Sequence, residues 1–198
     1  MNLVERVKNI LLSPKTEWPT IAGETTDVKT LYTSYVMILA AIPAVATFIG
    51  YSLIGMSMPM VGSYRVPIGS GIAGAIVQYG LALVGVYVMA LIIDALAPSF
   101  GGEKNLNQAL KTTAYSYTAA WVASIFHVIP GLGILSIVGL YSFYLLYLGL
   151  PVTMKAPQEK AVGYTAVAVI CGIVLMFVFS AIGGIFIAAP VVGLSGLN

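Results

Sequence analysis

The 198 residues carry a net charge of +2, only 8% charged side chains and a mean hydropathy of +0.97. A soluble domain averages about 25% charged residues, so this chain lacks the charge to solvate a globular surface, and its small positive charge, spread over several segments, excludes a nucleic-acid footprint. Several apolar runs exceed the ~20 residues needed to cross a ~30 Å hydrocarbon core, which predicts an all-α membrane protein: a five-helix transmembrane bundle preceded by an amphipathic interfacial helix.

Residues 2 to 13 place Leu3, Val4, Val7, Ile10 and Leu11 at helical spacing, with Glu5, Arg6, Lys8 and Asn9 opposite. That pattern predicts a helix lying in the membrane interface, ended at Ser13-Pro14 because proline disfavours helical geometry in the residue before it. Trp18-Pro19 suits the headgroup layer, so Leu3, Val7, Ile10, Leu11 and Trp18 form the predicted membrane-interface set. No continuous apolar core of a signal peptide occurs in residues 1–30, read as a cytoplasmic helix and polar lead-in.

Residues 31–190 are predicted to hold the five spans, at 31–55, 72–96, 110–128, 132–150 and 161–188, with 191–198 as a tail. Pro43 interrupts the first, and a methionine- and proline-containing loop with Arg65 precedes the second. The second ends at Asp94-Ala-Leu-Ala-Pro98, followed by a polar turn with Gly101 and Gly102. Pro130-Gly131 joins the third and fourth spans so tightly that they must be antiparallel neighbours. Eight of the nine basic residues, all but Arg65, fall on one side of this arrangement. By the positive-inside rule the N-terminus is cytoplasmic and the C-terminus is not, in a multi-pass protein of the cell membrane.

Cys171 has no cysteine partner and His127 is the only histidine, which leaves too few soft ligands for a protein-held zinc, haem or iron–sulfur centre, and no cofactor is expected. There is no nucleophile elbow, metalloprotease helix or P-loop, so the chain reads as non-enzymatic. Gly69-Ser-Gly71-Ile-Ala-Gly74 matches GxGxxG but lacks the strand and βαβ unit that give this motif its meaning. It is read, with Ala46-xxx-Gly50, Gly71-xxx-Ala75 and Gly184-xxx-Ala188, as helix packing, with a homo-oligomer interface as the alternative.

Asp94 is the only acidic residue inside a predicted span, one turn from a helix end whose dipole disfavours it. A partner is therefore expected among Lys104, Lys111, Tyr115 and Tyr117. On the next span Tyr144 and Tyr147 should bring hydroxyls to a similar depth, and Tyr147 also suits an interfacial aromatic belt. Tyr141 and Tyr144 are read as deeper and facing the bundle, and His127 is placed at the opposite membrane face. The structural reading is a tie between helices. The functional one is an ion, proton or headgroup site, with Asp94 the candidate cation ligand.

Together these features resemble the Yip-one (Ypt-interacting protein) domain family in its short prokaryotic form. The resemblance covers nearly the whole chain and rests most on Asp94-xx-Ala97-Pro98-x-Phe100-Gly101-Gly102, then on Ser13-Pro14 with Trp18, and on Tyr141 through Gly149-x-Pro151 to Met154. It implies a five-helix membrane domain with a cytoplasmic N-terminus. Eukaryotic relatives act in vesicle trafficking with Rab-type GTPases, a role not carried over, since only about 30 residues precede the first span. Two functions follow as expectations: a scaffold or adaptor binding other membrane proteins or the lipid bilayer, and a small-solute or cation transporter built around Asp94.

Overall fold

The computed structural model describes residues 2–58 and 62–194, with side chains for 2–55 and 64–184. Helix α1 spans Leu3–Leu12, its first turn capped by the Asn2 side chain, which accepts from the Val4 N–H. Pro14 forces Ser13 out of helical geometry (φ −138°, ψ 52°) and then opens α2, Pro14–Gly23. The polar lead-in predicted for this region is therefore corrected to a second short helix. Asp27 caps the next helix by accepting from the Thr30 N–H, and its hydrogen bond with Thr30 holds its carboxyl below the usual range.

A continuous rod, Val28–Ile54, follows. It contains α3 (Val28–Leu31) and α4 (Met37–Phe48), each followed by a wider π turn, at Tyr32–Val36 and Ile49–Ile54. Gly55, at φ +85°, ends it in a conformation other residues seldom adopt. A short antiparallel hairpin pairs β1 (Met56–Met58) with β2 (Gly62–Tyr64), inside the predicted loop. Helix α5, Ile68–Leu96, runs on as a 3-10 turn to Phe100. Then come α6 (Leu106–Ser116), α7 (Thr118–Ala123), two 3-10 stretches (Ser124–Val128 and Leu132–Leu140), α8 (Tyr141–Thr153) and α9 (Ala161–Leu194). Residues 195–198 of the predicted tail lie outside the described residues.

Among the described residues four helical stretches are long and apolar enough to cross a membrane: Val28–Ile54, Ile68–Phe100, Leu132–Thr153 and Gln158–Gly184. The predicted third span is not one of them. Residues 110–128 break at Tyr117 into α6, α7 and a 3-10 turn, and the stretch is rich in hydroxyls. Every residue from Ala109 to Ser116 is buried, so α6 is sheathed by protein, packed against α5 and α8. A helix shielded from lipid needs no apolar surface of its own, provided neighbours satisfy its polar groups. Thr112 and Thr153 bond through their hydroxyls at 2.5 Å, and the Thr118 and Tyr35 hydroxyls at 2.7 Å. Outward-facing residues on the apolar helices, such as Ile76, Val162 and Phe177, are 66% exposed each.

Candidate functional site

Asp94 to Gly102 forms the corner where α5 ends. Gly101, at φ +75°, closes the 3-10 turn, its N–H bonding the Pro98 carbonyl at 3.1 Å, and the Gly102 N–H reaches the Ala97 carbonyl at 2.8 Å. A Cβ on Gly102 would stand 2.7 Å from the Met154 carbonyl oxygen, so only glycine lets the corner sit this close to the end of α8. The next N–H, of Glu103, bonds that same oxygen at 2.8 Å, and Lys155 donates to the Glu103 carboxylate at 2.7 Å. Phe100 stacks on Tyr164 of α9, centroids 4.9 Å apart and planes 5° from parallel. The Asp94–Gly102 corner and Met154, distant in sequence, are thus joined. Pro98 lies on its exposed side.

The expected partners of Asp94 are not beside it. Its Oδ1 is buried without a hydrogen-bond partner among the described residues, and it belongs to no cluster of three or more metal-ligating side chains there. Lys104 is exposed. Lys111 is buried, but its ammonium bonds the carbonyls of Ile21 (3.1 Å) and Glu24. Tyr115 packs edge-on against Tyr35, and Tyr117 against Trp121. Tyr141 donates to the Leu11 carbonyl at 3.1 Å and touches Tyr144, which is 41% exposed. The gathering of hydroxyls around Asp94 is therefore corrected. The tyrosine at this corner is Tyr164, whose hydroxyl donates to the Ile93 carbonyl.

A different charged centre holds the N-terminal helices to the bundle. Arg6, predicted on a solvated face, is 4% exposed. It binds Glu17 at 2.5 Å and Glu24 on the far side of α2, and its guanidinium lies over the Tyr115 ring, 5.3 Å from the centroid. With Lys111 on the Glu24 carbonyl, α1, α2 and α6 meet in one buried network. Beside it Asn107 and Gln108 donate to the carbonyls of Thr26 and Ala22. The sequence signal was the spacing itself: Arg6 follows one turn after Asn2 and faces the same way as Ile10, which is fully buried.

The interface set is corrected for the same reason. Ile10 and Trp18 are fully buried, and Leu3, Val7 and Leu11 pack against the core. Trp18 lies on Gly149 of α8, where a Cβ would come 2.7 Å from the indole ring. An apolar stripe beside a membrane has two apolar destinations, lipid and bundle, and this one turns to the bundle. Val4 and Leu12, at 70% and 72% exposure, are left facing outward.

Two cavities lie farther along the bundle, of about 750 and 240 Å³. The larger is bounded by the end of the Val28–Ile54 rod, the start of α5 and α9; the smaller lies among α5, α6, α8 and α9. Tyr117, Gly172 and Met176 line both, Asp94 neither. Gly71 and Gly74 of the GxGxxG match line the larger cavity. Gly50 packs within the chain, its Cα turned to the His127 carbonyl.

The chain is 26% identical to the inner membrane protein YohC of Escherichia coli (strain K12) over 183 residues, covering 90% of this chain and 94% of that protein. The same figures hold for YohC of Escherichia coli O6:H1 (strain CFT073). No solved structure gives a significant match. The Yip1 domain family matches residues 8–193, which takes in the Arg6-anchored helices from Lys8 onward, the Asp94–Gly102 joint and all four apolar helices. On that match the chain belongs to the Yip1 domain family.

Proposed function

We propose that this protein is a non-enzymatic membrane scaffold or adaptor whose binding face is the cap formed by α1 and α2. In this reading the chain crosses the membrane five times, with α6 to Val128 as the sheathed third crossing, and the cap lies on the cytoplasmic side. The observation that carries the reading is the buried Arg6–Glu17–Glu24 network. Two short helices with no membrane-length apolar run are fixed rigidly to the bundle, while Val4 and Leu12 project from them. Rigid presentation of a few apolar side chains lowers the ordering cost of binding.

Transport gains no comparable support, since Asp94 lines neither cavity and both are walled mainly by apolar side chains. A photocrosslinking residue at Val4 or Leu12, activated in native membranes, tests the adaptor reading. A reproducible protein or lipid adduct, weakened when the other position is changed to glutamate, is expected. Absence of any adduct above that formed from the exposed bundle position Val162 would overturn it.

A further inference from the structure

The larger cavity has the order of groups that a phospholipid has along its length. At its rim, Val66 donates to the Tyr51 carbonyl at 3.0 Å, and both residues line the opening. Arg65, one residue away, donates from Nε to the Ile54 carbonyl at 3.1 Å, which fixes a cation beside the rim. Just inside lies Ser52, only 6% exposed, whose hydroxyl has no hydrogen-bond partner among the described residues. It faces Gly71, where a Cβ would come 2.0 Å from its oxygen. A buried hydroxyl without a partner calls for one. Deeper still the wall is apolar and lined by small residues, among them Gly74, Ala75 and Gly172. At about 750 Å³ the volume falls within the ~300–1,000 Å³ of ordinary ligand pockets. The floor, at Tyr117, Gly172 and Met176, is shared with the smaller apolar cavity.

We propose that this cavity binds one anionic phospholipid, its phosphate against Arg65, an ester carbonyl accepting from Ser52, and one acyl chain in the glycine-walled space. The surrounding bilayer supplies such a ligand at high local concentration. An apolar cavity is a poor host for ordered water, so a hydrocarbon chain is the occupant its lining fits. The site uses no residue of α1 or α2 and stands or falls separately from the adaptor reading.

Trp121 reports on the site. It lines the larger cavity, is 6% exposed, and becomes the sole tryptophan after Trp18→Phe. This chain is placed in phosphatidylcholine vesicles doped with brominated-chain phosphatidylglycerol or brominated phosphatidylcholine. The glycerol lipid is expected to quench Trp121 at about fivefold lower mole fraction, the equivalent of the ~1 kcal/mol contributed by one basic residue at an anionic surface. Arg65→Gln should erase that difference while leaving quenching by both lipids. Ala75→Phe, which fills the cavity, should abolish quenching with the helical circular dichroism retained. Native mass spectrometry of the unmodified protein should show one retained phosphatidylglycerol per chain. Equal quenching by the two lipids, quenching unchanged by Ala75→Phe, or no retained lipid in the unmodified chain would each overturn the proposal.

Discussion

At Gly149 and Gly102 a single added methyl group meets a filled site. At Gly149 the added carbon meets the Trp18 indole at 2.7 Å, and at Gly102 it meets the Met154 carbonyl at the same distance. Overpacking a filled site costs about 1–3 kcal/mol, so Gly149→Ala and Gly102→Ala should each lower the thermal unfolding midpoint in detergent. Gly23→Ala, with no neighbouring atom within 4 Å, should leave it unchanged. Arg6→Met strands Glu17 in a buried site and should cost about 3–5 kcal/mol, whereas Arg6→Met with Glu17→Gln and Glu24→Gln should recover much of that loss. A triple variant no more stable than Arg6→Met would show that the network is not the source of the effect. Gly101 and Gly102 were legible in sequence as a glycine-containing turn, whereas Gly149-x-Pro151 stood out only through the family resemblance. Arg6 was misread because its charge suggested water, and its partners, Glu17 and Glu24, lie in a segment that had no predicted structure. Asp94 drew attention as the one acidic residue in a predicted span, but which side chains surround it depends on how helices rotate, and no local pattern encodes that.

Among the elements, the apolar helices were readable because length and hydropathy report contact with lipid directly. The Leu106–Val128 segment was harder. It is buried among its neighbours, so it carries Thr112, Thr113, Ser116 and Thr118 rather than leucine and isoleucine, and its break at Tyr117 has no proline or glycine to announce it. Helix α2 was missed for a related reason: the region was read as a polar lead-in, while its helicity comes from docking Trp18 and Ile21 on the bundle. If α6 and α8 are held together by hydroxyl pairing, a Thr112→Val, Thr153→Val double-mutant cycle should give a coupling of about 0.6 kcal/mol, the usual scale for polar pairs between membrane helices. Strict additivity of the two unfolding shifts would argue that the pair is incidental.

For the whole molecule, the proposed topology has five crossings, with the α1–α2 cap on the cytoplasmic side. Among the described residues four helices are long and apolar enough to cross a membrane, yet the Leu106–Val128 segment runs antiparallel to Leu132–Thr153, with α6 against α8 and α7 against the 3-10 stretch before it. In the reading we propose, this segment crosses the membrane with that helix. The most direct measurement is labelling of single cysteines by a membrane-impermeant maleimide in intact cells, on a Cys171→Ser background. Lys104→Cys and Gln158→Cys flank the hairpin, and Ile129→Cys, 52% exposed, marks its turn. The account predicts that Ile129→Cys reacts from outside, while Lys104→Cys and Gln158→Cys, like a cysteine at Lys8, react only after the membrane is permeabilised. Labelling that places positions 104 and 158 on opposite sides would contradict it.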